Sequence, residues 1–192
     1  MTATCKPPRA GELHVWRLEL PADDGRCTAR QELSAILADY LGGPPEVRDS
    51  EGGKPRLATA DRLSFNLSHT AGLALVAIAP GGVEVGVDIE RLRPRRDLAR
   101  LAARWLPAAD AATVAAAAET EREPVFYAAW TRHEARVKCV GTGLAGPPPG
   151  PEVVAWPLEV DGGYAAAVAV YGWVRPPVIW MKARQAGFAR KP

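Results

Sequence analysis

The sequence predicts an α+β protein with strand–helix–strand groups early and late in the chain. Three observations point there. Short segments such as 12–20 and 63–69 alternate apolar and polar residues, the period of a half-buried strand. Two longer segments, 29–41 and 124–140, repeat apolar residues at three- and four-residue spacing, the period of an amphipathic helix. Eighteen glycines and 18 prolines punctuate many short elements. With 192 residues, 47% of them hydrophobic, the chain can hold one domain or two closely packed halves.

Composition narrows the function classes. The formal net charge of +2 is too weak for a dedicated nucleic-acid binder. No apolar run approaches the roughly 20 residues of a membrane-spanning helix. Glu12, His14, Arg17 and Glu19 interrupt any signal-peptide pattern in residues 1–20. Cys5, Cys27 and Cys139 sit at unrelated spacings and suggest free thiols in a reducing, cytoplasmic setting. Neither Cys-x-x-Cys nor His-x-x-x-His occurs, so a structural zinc site is not expected.

The elements follow in order. Residues 12–20 form a first strand with Leu13 and Val15 inward. Thr28 and Gln31 make a capping-box pair for a helix over 29–41, which carries Leu33, Ile36, Leu37 and Tyr40 and stops at Gly42. Residues 42–62 read as loop. Leu63, Phe65 and Leu67 are the buried face of the next strand, and Ser64, Asn66 and Ser68 its polar face. Leu73 to Ala79 is a central strand. After a tight turn at Pro80-Gly81-Gly82, Val83 to Ile89 is expected to return antiparallel beside it. Asp97 is a candidate N-cap for a short helix, and residues 108–119 are alanine-rich and helix-prone. Pro124 suits the first position of a helix that ends at Gly141. Segments 153–160, 164–170 and 178–181 are strands, followed by a basic, frayed tail from Lys182.

Several residues carry chemical promise. Asp88 and Glu90 alternate at a strand end, so both point one way while Val87 and Ile89 face the core. Paired carboxylates at such an end suit a hard divalent cation. Ser68 and His69 can both donate to an anion. Lys54-Pro55, in a glycine-flanked turn, can bring an ammonium against an anionic ligand. Trp130, Glu134 and Lys138 fall at i, i+4 and i+8, in one row of a helix. Arg91, Arg93, Arg95, Arg96 and Arg100 form a basic cluster.

Together, Phe65-Asn66-Leu67-Ser68-His69, Gly86-Val87-Asp88-Ile89-Glu90 and Trp130-Thr131-Arg132-His133-Glu134-Ala135-Arg136-Val137-Lys138 resemble, in order and spacing, the signature of the 4′-phosphopantetheinyl transferases. Gly53-Lys54-Pro55 and Gly141-Thr142-Gly143-Leu144 also match. The resemblance covers roughly residues 28–170 and is to the larger, surfactin-synthetase-activating (Sfp-like) class. It implies transfer of the phosphopantetheine arm of coenzyme A to a serine of an apo acyl or peptidyl carrier protein, with release of 3′,5′-ADP. It further implies Mg²⁺ held by Asp88, Glu90 and Glu134, phosphates contacted by Lys138, and the nucleotide and its 3′-phosphate held by Lys54, Pro55, Ser68 and His69, with Arg30 from the early helix. It implies two similar halves, 1–93 and 94–192, each an antiparallel sheet packed with a helix and related by a pseudo-twofold, with the active site between them. A monomer is expected.

Three positions depart from that pattern. Asp110 stands where a glutamate is the candidate general base. His133 stands where a lysine usually precedes the metal-binding glutamate, and Ser34 where an additional arginine is common. These departures leave room for a non-catalytic carrier- or coenzyme A-binding homologue. A metal-dependent phosphohydrolase using water as the nucleophile is the other alternative. Absence of a phosphopantetheine adduct on apo carriers despite binding would mark the first, and 3′,5′-ADP release without any carrier serine the second.

Overall fold

Apolar residues segregate to three kinds of surface, and these stack the molecule into four layers. In a computed structural model, residues 5–21, 25–50, 53–58, 62–160 and 162–185 are described. The elements are β1 (Glu12–Glu19), α1 (Gly25–Leu41), β2 (Val47–Asp49), β3 (Pro55–Leu57), β4 (Leu63–Thr70), β5 (Leu73–Pro80) and β6 (Val85–Arg91). They continue with α2 (Leu98–Trp105), α3 (Ala108–Ala116), α4 (Glu119–Val140), β7 (Val153–Leu158), β8 (Tyr164–Tyr171) and β9 (Val178–Gln185). One sheet has the order β4-β5-β1-β9 and another β6-β8-β7; β2 and β3 form a small separate hairpin.

The two larger sheets face each other across a core that includes Leu13, Leu75 and Ala77 from the first and Val85, Val87, Ile89 and Val168 from the second. Helix α1 covers the outer face of the first sheet with Leu33, Ile36, Leu37 and Tyr40. Helix α4 covers the outer face of the second with Ala135 and Cys139 against Ala167 and Ala169. Both faces of β5 are therefore covered, which is why Leu73 to Ala79 is continuously apolar and continuously buried.

The expected antiparallel return of 83–89 beside β5 is corrected. Both edges of β5 are occupied, by β1 and β4, and β6 instead pairs antiparallel with β8. The free edge of β6 meets β4, whose polar face supplies what a neighbouring strand would. Val87 N–H donates to Asn66 Oδ1 at 2.9 Å, Ile89 N–H to Ser68 Oγ at 3.4 Å and Arg91 N–H to Thr70 Oγ1 at 3.4 Å. Alternation on β4 thus becomes a side-chain ladder that satisfies buried backbone donors and joins the sheets.

Other boundaries also move. Helix α1 is already formed at Gly25, so Thr28 lies inside it; residues 22–24 are outside the described set. The stretch read as loop holds β2 and β3. Asp97 occupies the N-cap position of α2 but makes no side-chain cap bond. Helix α4 begins at Glu119, not Pro124. Glu119 and Glu121 favour that start through the helix dipole. Pro124 lacks a donor for the carbonyl one turn back, and both it and Thr120 are exposed, where water can substitute. Gly141 ends the helix with φ 79°, as expected. Lys182 to Gln185 are not frayed: β9 runs parallel to β1 throughout, while 186–192 lie outside the described residues. Each larger sheet thereby takes one strand from across position 93, β9 in the first and β6 in the second.

Gly86 sets the closest approach between α4 and β6. A Cβ there would stand 2.1 Å from Ala135 O and 2.4 Å from Cys139 N, both helix backbone atoms. Replacement Gly86→Ala is expected to lower unfolding free energy by about 3 kcal/mol or more, the upper range for overpacking. Urea denaturation checks this, and a loss below about 1 kcal/mol would contradict the close approach.

Candidate active site

Residues 86, 88 and 90 of β6 face α4, because Val85, Val87 and Ile89 are committed to the inter-sheet core. Asp88 is only 2% exposed. Its Oδ1 accepts from Ser68 Oγ at 2.8 Å and from Lys138 Nζ at 2.6 Å, and Lys138 Nζ also reaches Ser68 Oγ at 2.9 Å. Its Oδ2 is buried without a partner. Glu90 and Glu134 are half-buried nearby. Burial first, and then the Asp88 charge, raise the basicity of both; Glu134 is pushed up to about 7. Lys138 opposes these shifts at both, and a hydrogen bond from the Trp130 side chain opposes the shift at Glu90. The row Trp130, Glu134, Lys138 thus lies over Asp88 and Glu90.

The arrangement is short of positive charge. One ammonium serves three carboxylates, and one buried carboxylate oxygen has no donor at all. Among the described residues, no group of three or more His, Cys, Asp and Glu side chains converges as a ready metal centre. The donor set nevertheless fits a hard divalent cation: three carboxylates, two made more basic by burial and by the Asp88 charge, and an orphaned buried Oδ2.

A groove leads away from these acids. Near them a cavity of about 310 Å³ is lined by Gly53, Pro55, Asn66, Leu67, Glu134 and Lys138, among others. It shares Pro55, Asn66 and Leu67 with a second cavity of about 570 Å³, bounded by α1, the β2–β3 hairpin and β4. That second cavity brings Arg26, Arg30 and His69 together over an apolar floor of Leu33, Leu37 and Phe65. Burial, and then the charges of Arg26, Lys138 and Arg30, lower the basicity of His69. Beyond Glu90, a cavity of about 500 Å³ is walled by Trp105, Phe126, Tyr127 and Trp130 and rimmed by Arg91, Arg93 and Arg95.

Lys54, 7% exposed, is turned inward. Its Nζ donates to Glu84 Oε2 at 2.9 Å, Val85 O at 2.9 Å and Cys139 O at 2.7 Å, which uses all three ammonium protons. The ammonium therefore ties the hairpin to β6 and to the end of α4, and only the rest of the residue lines the groove. Arg56 adds a second ion pair to Glu84. Ser68 likewise spends its hydroxyl on Asp88, Lys138 and the Ile89 amide. Asp110 and His133 are not brought to the acids. They line a separate cavity of about 300 Å³ with Arg132 and Arg136, where Asp110 pairs with Arg132 at 3.4 Å. His133 is buried there with Nδ1 unpartnered, its basicity lowered by burial and then by Arg136.

Comparison with known proteins adds an independent line. A family model described as the 4′-phosphopantetheinyl transferase superfamily matches residues 84–171, from the residue before β6 to the end of β8. The chain is 34% identical to 4′-phosphopantetheinyl transferase HetI of Nostoc sp. strain PCC 7120, over 91% of this chain and 96% of that protein. The chain belongs to the 4′-phosphopantetheinyl transferase superfamily. This transferase is also 33% identical to 4′-phosphopantetheinyl transferase AcpT of Escherichia coli K12, over 71% of its own length and 64% of the relative's. The 4′-phosphopantetheinyl transferase psf-1 of Bacillus pumilus is 32% identical over 52% of this chain.

Arg26, Asn66 and the aromatic cavity were missed in sequence. Arg26 precedes the expected start of its helix. Asn66 was placed on a polar face that is in fact covered. The aromatic wall assembles from α2 and α4, which no local period connects. For Glu134, the raised value means that the folded state binds more protons than the unfolded state between about pH 4.5 and about 7. Its contribution to stability therefore falls as pH rises through that window. In chelator, the stability of the wild type relative to Glu134→Gln should decline across it and level off above. A flat difference in urea titrations at several pH values would contradict the shift.

Proposed function

We propose that this transferase moves the 4′-phosphopantetheine arm of coenzyme A to a serine hydroxyl of an apo carrier protein and releases 3′,5′-ADP. The observation that carries the reading is the joined groove, basic at α1 and acidic at β6. Its apolar floor suits a nucleobase, its basic end a phosphomonoester, and Lys138 the diphosphate. Asp88, Glu90 and Glu134 would hold Mg²⁺, which when bound stabilises charge on the diphosphate as a Lewis acid. The serine oxygen forms a bond to the phosphorus that carries the pantetheine arm. The bridging P–O bond breaks, and its electron pair leaves with 3′,5′-ADP.

The serine proton passes to a carboxylate directly or through one water. Glu90 lines the cavity at the far end of the groove, whereas Asp110 lies in another cavity. We therefore favour Glu90 over Asp110 as acceptor. His133 has no direct contact with substrate in this scheme, and Lys54 acts by holding Pro55 and α4 in place. The aromatic cavity with its arginine rim suits a carrier whose serine is flanked by an apolar side chain and acidic residues.

Intact mass of an apo carrier after incubation with coenzyme A and Mg²⁺ tests the reaction: the adduct is expected only when the serine is present. Asp88→Ala should lower the rate at least about 100-fold, within the range for lost electrostatic stabilisation, with its circular dichroism unchanged. Full activity would remove Asp88 from the site. Arg93→Glu with Arg95→Glu should raise the carrier's KM and reduce its salt dependence without changing coenzyme A affinity. An unchanged KM would place the carrier elsewhere.

A further inference from the structure

Apart from the transfer reaction, we propose that the cavity bounded by α3, α4 and β7 binds a small monocarboxylate, which accepts from His133 Nδ1 and from the Arg132 and Arg136 guanidiniums and rests its apolar body on β7. The cavity holds about 300 Å³, with Asp110, Arg132, His133 and Arg136 on its polar side and Val153 and Val154 on the other. His133 is only 9% exposed, and its Nδ1 is buried without a partner. Arg136 is oriented by its Nη2, which donates to Pro149 O at 2.9 Å and Gly150 O at 3.0 Å, yet its Nε is also buried without a partner. The two residues stand at i and i+3 of α4, on one face. Of the charges acting on His133, that of Arg136 is the largest, which sets the side chains close together. Buried donors left unpaired cost free energy that a ligand acceptor recovers. A neutral imidazole can carry its proton on Nδ1, so the donation needs no change of charge.

Charge sets the class of ligand. Two guanidiniums face one acid in the lining, Asp110, which pairs with Arg132 at 3.4 Å. The exposed Glu152 is outside the lining. One surplus positive charge matches a monoanion, whereas a dianion would stand against Asp110 with its second charge uncompensated. The paired oxygens of a carboxylate suit guanidinium donors, with the imidazole N–H as a third. Val153 and Val154 offer the remainder of the molecule an apolar wall, and the volume suits a short aliphatic acid.

Isothermal titration with butyrate tests the site, with circular dichroism on each variant. The wild type should bind it. His133→Leu removes the donor at similar volume and should weaken butyrate about tenfold, as for a lost hydrogen bond to a charged group. His133→Gln, which keeps an amide donor, should recover part of the loss. Arg132→Gln should also weaken butyrate; its side chain is 38% exposed, so this variant carries the test if those at 133 do not fold. Arg30→Ala, in the other groove, should leave butyrate binding unchanged. Inorganic phosphate should change by less than about twofold in His133→Leu. No butyrate binding by the wild type, or undiminished binding by folded His133→Leu and Arg132→Gln, overturns the proposal. Parallel loss of phosphate and butyrate in His133→Leu overturns the assignment to a monocarboxylate. Loss of butyrate in Arg30→Ala instead places the acid in the coenzyme A groove and overturns it too. None of these outcomes bears on transfer to the carrier, which the mass of the adduct reads separately.

Discussion

The contact on which the molecule depends is backbone against backbone, where α4 crosses β6 at Gly86. No side chain separates the two elements at that point. The helix therefore lies low enough for Glu134 and Lys138 to stand over Asp88 and Glu90, two and four residues along the strand. A helix held off by an ordinary side chain would lift Lys138 away from a 2.6 Å contact with Asp88. The same lack of space lets Lys54 reach the carbonyl of Val85 on the strand and that of Cys139 on the helix at once. Strand, helix and hairpin are thus fixed to one another by a missing methyl group and a single buried ammonium.

Charge then decides what the fixed geometry can accept. A buried carboxylate needs donors or a cation. Asp88 has donors on one oxygen only, and Lys138 supplies a single positive charge to a neighbourhood of three acids. The folded protein relieves part of this imbalance by protonation rather than by a counter-ion, since Glu134 is pushed up to about 7. Such strain is expected where a site is completed by a ligand. All five arginines at 91–100 are exposed at the surface, and of these Arg93 eases the shift at Glu90 as the weakest of its influences.

Local pattern disclosed the elements and the acid face; partnership between elements was hidden. Alternation at 87–90 correctly separates Val87 and Ile89 from Asp88 and Glu90, because strand geometry alone dictates it. The i, i+4, i+8 row of Trp130, Glu134 and Lys138 was legible for the same reason. Strand pairing was not: the Pro80-Gly81-Gly82 turn looks like a hairpin, and only the occupation of both β5 edges sends β6 to β8. Likewise, a lysine in a glycine-flanked turn gives no sign of pointing inward, since its three acceptors come from positions 84, 85 and 139. Asp110 and His133 illustrate a different limit. Motif position placed them near the acids, but His133 precedes Glu134 by one residue and so projects about 100° away around the helix. The two acquire a cavity of their own with Arg132 and Arg136.

Strand β4 explains how one groove can be basic at one end and acidic at the other without the two ends neutralising each other. Its odd residues, Phe65, Leu67 and His69, look toward α1 and its arginines. Its even residues, Asn66, Ser68 and Thr70, bind the edge of β6 beside the acids. Opposite charges are therefore kept on opposite faces of a single strand, with a sheet edge between them. Direct ion pairing between Arg26 or Arg30 and Asp88 would require passing through that strand. The groove instead goes around it, by way of Pro55 and Leu67, so only a ligand long enough to bend over β4 can touch both ends. A molecule with an anionic nucleotide at one end and a diphosphate several bonds away meets that requirement, whereas inorganic phosphate or a free divalent cation engages only one end. The alternation of residues 64 to 70 thus separates the basic end of the groove from the acidic one.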